Sequence, residues 1–515
     1  MVDIPNPTQP DASGIDPSRL ASALAELQEW AFANRTPRKS AGRSLIEDHL
    51  GVDAMGLPTV AEEYAQVERP DLQRAVDAWV GAGVGRSVEV HGVQLASHMP
   101  GSQGLAAVVS TSRFTPPSEL GPVSYEELPT GVDETSSVFA SALLLFTDGP
   151  VRLAALLAPT TDYNSEPRQH LDVMAADREV AAALLGELRA LSRQWSVYRH
   201  QIVSLSRTGD QSGAPFRAKL GVTFHPRPEL AAHEVVLPAG MLDRIERHAV
   251  AVGENASALR AAGHELKRGL LLYGPPGTGK THTVRWLLAS MATRTAVLIG
   301  GADVSLLDAA CRLARRTAPS MVVLEDVDLI AEERTMFGRG QNAMLLQLLN
   351  EMDGVDPADD VLFVLTTNRP ELLEPALANR PGRVDLAINV PLPDAEARSR
   401  LLDLYAADIE RTNAQSDALV TRLDGVSGAF VKELARRASL AAAIAGVTPG
   451  LAHLTAALDE LFEDGSELTR MLIGGVARAP QEPAVVMASA AMRFPPGIPA
   501  EVRDAIQRRF GGDPA

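Results

Sequence analysis

The sequence predicts an α/β chain: a parallel sheet covered by helices, followed by an all-helical domain and preceded by an α+β domain. Three observations predict it. Five short apolar runs, at 269–273, 295–299, 321–324, 361–366 and 386–390, alternate with helical stretches, as parallel strands buried on both faces do. Beyond Pro393 the apolar spacing is helical as far as about Asp464. Before about residue 230, helix-like and strand-like patterns are mixed.

Length alone calls for several cores, since 515 residues exceed the roughly 100–200 of one domain. The expected division is an α+β domain with its linker at 1–230, an α/β domain at 231–393, a helical domain at 394–464 and a Pro-rich tail with one short helix at 465–515. In the first of these, Asp16-Pro17 reads as a helix start, with Leu20, Leu24, Leu27 and Ala31 at helical spacing behind it. Val88, Val90 and Val93 alternate as in a strand, and 105–110 reads as a further strand-like run. Residues 138–159 read as two buried strands around a turn, because Asp148, Gly149, Pro150 and Arg152 interrupt them well short of the roughly 20 apolar residues of a membrane span. Leu184, Leu188, Leu191, Trp195, Tyr198 and Ile202 follow a four–three spacing. That stripe fits a helix laid on its own domain or an intersubunit coiled coil. Residues 206–215 read as a loop.

Charge and cysteine usage narrow the function classes. Sixty-five acidic residues against 48 basic ones give a net charge of -17, a poor match for phosphate backbones. Nucleic acid is not an expected partner. The single cysteine, Cys311, excludes an internal disulfide or a cysteine metal cluster and suits a reducing cytoplasm. The amino terminus lacks the basic-then-apolar order of a secretion signal.

The chemistry is concentrated at strand ends. Gly274-Pro275-Pro276-Gly277-Thr278-Gly279-Lys280-Thr281 follows one apolar strand and opens a helix. This is a Walker A loop, so the α/β domain reads as a P-loop NTPase sheet. Its backbone N–H groups curl round phosphates, Lys280 reaches the β and γ oxygens, and the Thr281 hydroxyl is offered to Mg²⁺, with His282 next in line at the nucleotide. The run 321–324 delivers Glu325-Asp326-Val327-Asp328 at its carboxyl end, where Mg²⁺ and a water-activating base belong. Asn368, at the end of the next strand, can bond the γ-phosphate or the attacking water, and it also suits a turn before Arg369-Pro370.

Together these motifs resemble the AAA ATPase family over about residues 235–464. Besides the Walker A loop, Leu348-Leu349-Asn350-Glu351-Met352-Asp353-Gly354 resembles the family's intersubunit signalling segment, Thr367-Asn368-Arg369-Pro370 its sensor 1, and Ser427-Gly428-Ala429 its lid segment near the nucleotide. Arg380-Pro381-Gly382-Arg383 resembles the segment whose two arginines reach a neighbouring subunit's γ-phosphate. The resemblance implies ATP and Mg²⁺ as cofactors and catalytic roles for Glu325, Asp326, Asn368, Arg380 and Arg383. It also implies a homo-oligomeric ring, expected as a hexamer, that remodels, translocates or disassembles a protein bound through the first 230 residues.

Two departures qualify it. The order Glu325-Asp326 reverses the family's usual Asp-Glu and is similar to the mitochondrial Rieske-protein translocase branch. Either carboxylate could then be the base, with Glu325 in the Mg²⁺ shell leaving that role to Asp326. The interval 302–320 holds no aromatic pore loop, which leaves Phe337 as a second-loop contact or as core. The alternative functions are an ATP-dependent scaffold or switch with low turnover, and a nucleic-acid motor.

Overall fold

The computed structural model describes residues 21–27, 30, 39–94, 104–110, 118–160, 168–208, 219–300, 306–328, 356, 359–372 and 384–462. Two seven-stranded sheets organise them.

The first sheet is antiparallel and holds β1 (Thr59–Ala65), β2 (Arg86–Gln94), β3 (Glu119–Gly121), β4 (Ser124–Gly131), β5 (Glu134–Asp148), β6 (Val151–Pro159) and β7 (Arg168–Met174). Its order is β1-β7-β6-β5-β2-β3, with β4 paired to β5. Helices α1 (Ala41–Leu50), α2 (Arg69–Gly81), α3 (Leu105–Val109) and α4 (Arg178–Gln194) cover it on both faces. Successive side chains of β5 show why cover is needed on each side. Leu144 and Phe146 pack with Trp79 of α2 and Leu188 of α4, while Leu143 and Leu145, pointing the other way, pack with Ile46 of α1 and Val108 of α3. Each such side chain contributes about 1.5–3 kcal/mol through burial.

Two sequence readings of this region change. Residues 105–109 form a helix, not a strand, with Leu105, Val108 and Val109 buried at helical spacing and the Leu105 N–H held by Asp172 at 2.7 Å. The stripe from Leu184 to Ile202 is not one helix. Helix α4 ends at Gln194, Trp195 is exposed, Tyr198 stacks on Phe224 with ring centroids 5.6 Å apart, and Ile202 opens a strand. The helical part packs on its own sheet through Leu184, Leu185 and Leu188.

The second sheet contains β8 (Ile202–Thr208), β9 (Lys219–His225), β10 (Arg268–Tyr273), β11 (Thr295–Ile299), β12 (Ser320–Leu324), β13 (Val361–Thr367) and β14 (Leu386–Asn389), in the order β14-β10-β13-β12-β11-β8-β9. All neighbours are parallel except the β8–β9 hairpin. The five apolar runs read from sequence are β10 to β14. The other two strands were not foreseen, and the stretch read as a loop from Ser206 begins inside β8.

Helix α5 (Lys280–Ser290) lies on one face of this sheet, where Val284 and Leu287 meet Leu270, Leu272 and Val364. Helix α6 (Leu307–Arg316) lies on the other, where Ala310 and Leu313 meet Val297, Val322 and Phe363. The C-terminal end of α6 also ties the two sheets together. Arg316 reaches Glu68 at 2.6 Å, Asp71 at 3.3 Å and the Ser192 hydroxyl at 2.8 Å.

The helical domain comprises α7 (Ala395–Tyr405), α8 (Asn413–Arg422), α9 (Gly428–Ala445) and α10 (Leu451–Phe462), closed around Leu402, Phe430, Leu434 and Leu458. Asp394, Thr412 and Ser427 cap the first three helices by accepting backbone N–H groups, each worth about 0.5–2 kcal/mol. Among the described residues no helix is long and apolar enough to cross a membrane.

Candidate functional site

A cavity of about 380 Å³, enclosed by the loop, the strand ends and the helical domain, lies where β10 passes into α5. Gly274 follows β10 with φ of 138°, and a Cβ there would meet the Val390 carbonyl at 2.3 Å, so only glycine fits. The loop then runs to Lys280, the first residue of α5, whose Nζ donates to the carbonyls of Gly274 and Pro275, each at 2.8 Å. The ammonium is thereby held inside the loop, and burial lowers its pKa, opposed by the charges of Asp326 and Asp328. Pro276, Gly277, Thr278, Gly279 and Thr281 line the same cavity. An α5 amino terminus with its first N–H groups free of helical partners is a ready site for phosphate.

Opposite the loop, β12 and β13 pair as far as Leu324 and Leu365. Beyond that point side chains continue the connection. The Asp326 N–H donates to the Thr366 hydroxyl at 3.0 Å, the Asn368 amide donates to Asp326 Oδ1 at 3.3 Å, and Asp328 Oδ1 accepts both the Thr367 hydroxyl at 2.9 Å and the Asn368 N–H at 3.2 Å. Asp326 has φ of 51°, a left-handed conformation that few aspartates adopt. This turns neighbouring carboxylates to different partners. Asp326 lines the cavity beside Asn368, whereas Glu325 interacts with the Thr281 hydroxyl. Burial raises the Glu325 pKa, the interaction with Thr281 opposes that, and the charge of Asp326 adds to it. Glu325 Oε1 is buried with no hydrogen-bond partner among the described residues.

The helical domain closes the cavity from the third side. The Ala429 N–H donates to the Gly277 carbonyl at 3.1 Å. Gly277 has φ of 74°, and a Cβ there would lie 2.7 Å from the Ser427 hydroxyl. Away from the loop the lining becomes apolar, with Val236, Leu237, Pro391, Ala397 and Leu401, an enclosure suited to a nucleobase. At its rim His282 Nε2 lies 3.2 Å from the Glu234 carbonyl, and the Lys432 ammonium sits 5.7 Å from the centre of the Tyr405 ring.

Residues 270–392, which span the loop, both carboxylates and Asn368, match the family described as "ATPase family associated with various cellular activities (AAA)". The chain carries an AAA ATPase domain. Proteasome-activating nucleotidases are similar to it: that of Saccharolobus solfataricus is 34% identical over 194 residues, covering 35% of this chain and 49% of the relative. That of Methanopyrus kandleri is 37% identical over 196 residues, covering 35% and 44%. With that of Pyrococcus furiosus the match extends to 239 residues at 31% identity, covering 43% and 59%. The chain thus spans about half the length of the curated relatives it matches.

The structure brings the Walker A residues, His282, Glu325, Asp326 and Asn368 of the AAA domain to one site. Arg380, Arg383, Phe337 and the segment 348–354 lie outside the described residues. Sequence reasoning missed Glu234, Tyr405 and Lys432. Lys432 had a legible signal, since it stands four residues after Gly428 and so on the same face of α9. The others come to the site through tertiary packing alone.

Proposed function

We propose that this chain hydrolyses ATP and uses the energy to remodel a protein partner, working as a ring of identical subunits. The observation that carries the proposal is the division of labour between adjacent carboxylates, Glu325 against Thr281 and Asp326 against Asn368, across the cavity from Lys280.

A Mg²⁺ ion fits the first pair: one hydroxyl, one carboxylate with an unpartnered buried oxygen, and the phosphates themselves are the ligand set such an ion takes. Bound there, it would neutralise charge on the transferring phosphate. The chain's own groups do the rest. Lys280 holds the β and γ oxygens as a point charge. Asp326 accepts a proton from the attacking water, and Asn368 fixes the Asp326 carboxylate and the water's direction. The reversed Glu-Asp order is then accommodated by exchanging roles, the longer Glu325 reaching Thr281 and the shorter Asp326 turned inward by its positive φ.

The ring rests on Arg380 and Arg383, which resemble fingers acting on a neighbour's ATP; a hexamer is the form proposed. Residues 1–230 are proposed as the partner-binding part, 231–393 as the nucleotide domain, 394–464 as its lid and 465–515 as a tail, in the cytoplasm. The match to proteasome-activating nucleotidases covers the motor region, so the motor chemistry is carried over and the proteasome is left with the relatives. Net acidity favours a protein over nucleic acid as the object of work.

The test is phosphate release by the full chain with Mg²⁺ and ATP, alone, with casein as an unstructured protein, and with duplex DNA. Stimulation by casein supports remodelling. Stimulation by DNA alone would make the chain a nucleic-acid motor, and slow release unaffected by either would make it a switch.

A further inference from the structure

Asp328 is buried, at 6% exposure, and stays outside the lining of the nucleotide cavity. A carboxylate buried this deeply is costly unless its oxygens are well supplied with donors. Here a single oxygen, Oδ1, accepts two hydrogen bonds, from the Thr367 hydroxyl and from the Asn368 N–H. Thr367 is the last residue of β13 and Asn368 follows it, both beyond the strand's last backbone pairing with β12 at Leu365. Asp328 therefore fixes the main chain of Asn368 at the point where the ladder no longer does.

The consequence reaches the reacting end of the site. Asn368 bonds Asp326 through its side chain, and the Asp326 backbone bonds Thr366. Four side-chain hydrogen bonds thus close a loop, Asp326 to Thr366, Thr367 to Asp328, Asp328 to Asn368 and Asn368 to Asp326. Removing the Asp328 link frees the Asn368 backbone while breaking no hydrogen bond of the Walker A loop or of its contact with the lid.

We infer that Asp328 is a positioning residue for hydrolysis: by holding the Thr367 hydroxyl and the Asn368 N–H on one carboxylate oxygen, it sets the Asn368 amide against Asp326. This rests on the ATPase reading. The role belongs to the oxygen's place and not to its charge, because an amide oxygen carries two lone pairs and can accept the same two donors.

The experiment compares Asp328→Ala, Asp328→Asn and Asp328→Glu in the full chain, measuring kcat, KM and equilibrium ATP affinity. Asp328→Ala is expected to lower kcat roughly 10- to 100-fold, the scale of a displacement of about 1 Å at a reacting group, with ATP affinity unchanged. Asp328→Asn restores kcat and Asp328→Glu, which moves the oxygen, does not. Combining Asp328→Ala with Asn368→Ala should cost no more than Asn368→Ala alone, since both act through one contact. Equal activity of the Asn and Glu variants, or effects that multiply in the double variant, would overturn the inference. So would ATP affinity falling in step with kcat. If the alanine variant does not fold, the Asn and Glu pair decides the matter alone. A wild-type chain without turnover would instead refute the ATPase reading, which separates the two failures.

Discussion

The Asn368 side chain donates to Asp326 Oδ1 at 3.3 Å, while Glu325, the residue just before Asp326, interacts with the Thr281 hydroxyl. Two adjacent carboxylates on one strand end thus serve different partners. The left-handed backbone of Asp326 makes this possible at a cost of roughly 1–2 kcal/mol, which the surrounding hydrogen bonds offset.

Lys280→Ala should weaken ATP binding by roughly 10- to 100-fold, because a hydrogen bond to a charged group is worth about 1.5–3 kcal/mol. Titration calorimetry with ATP in Mg²⁺ buffer reads this directly. Unchanged affinity would mean that the cavity is not where the triphosphate binds.

Glu325→Gln should leave ATP binding in place and raise the Mg²⁺ concentration needed for half-maximal hydrolysis by roughly 10- to 100-fold, the usual penalty for disturbing groups around a metal. A Mg²⁺ titration of phosphate release at fixed ATP distinguishes this from a general loss of activity. An unaltered Mg²⁺ dependence would remove Glu325 from the metal's surroundings.

Asp71 links the two sheets and predicts a pH effect on stability. Burial pushes its carboxyl from the ordinary 3.8 up to about 6, against the opposing charge of Arg316 and the bonds from Ser196 and Val197. The folded chain then holds the proton more tightly than the unfolded one, so this contribution is fully present below pH 3.8 and is lost as pH rises through 6. A shift of that size corresponds to about 3 kcal/mol. Asp71→Asn keeps an acceptor for the Val197 N–H and removes the titration. Urea unfolding between pH 4 and 7 should show the wild type losing stability relative to the variant, and parallel profiles would mean that Asp71 ionises freely.

Arg383→Ala subunits should bind ATP normally and fail to support a neighbour. Mixed with Lys280→Ala subunits they should regain activity, because each species supplies what the other lacks at a shared interface. No gain on mixing would argue for action within one subunit.

Much of the second sheet was legible because β10 to β14 are continuous apolar runs, and the phosphate loop because its glycines and Lys280 follow one of them. Strands β8 and β9 were not. Ser204, Ser206 and Arg207 in β8, and Gly221 and Thr223 in β9, break the apolar run, and only pairing to β11 makes β8 part of the sheet. Residues 105–109 failed for a different reason, since five apolar residues in a row carry no periodicity and the Asp172 contact decides their form. Within the site, residue types at strand ends could be read, whereas the allocation of Glu325 to Thr281 depends on a backbone angle at Asp326 that no spacing encodes.

The most direct test of the account is ATP retention and phosphate release measured together for the wild type, Asp326→Asn and Glu325→Gln with radiolabelled ATP. An amide at 326 keeps the size of the side chain but cannot take the water's proton, so hydrolysis should fall by roughly 10²- to 10⁴-fold. The account predicts that Asp326→Asn holds intact ATP, while Glu325→Gln still hydrolyses it once Mg²⁺ is raised. Retention of ATP by Glu325→Gln together with normal turnover by Asp326→Asn would contradict it.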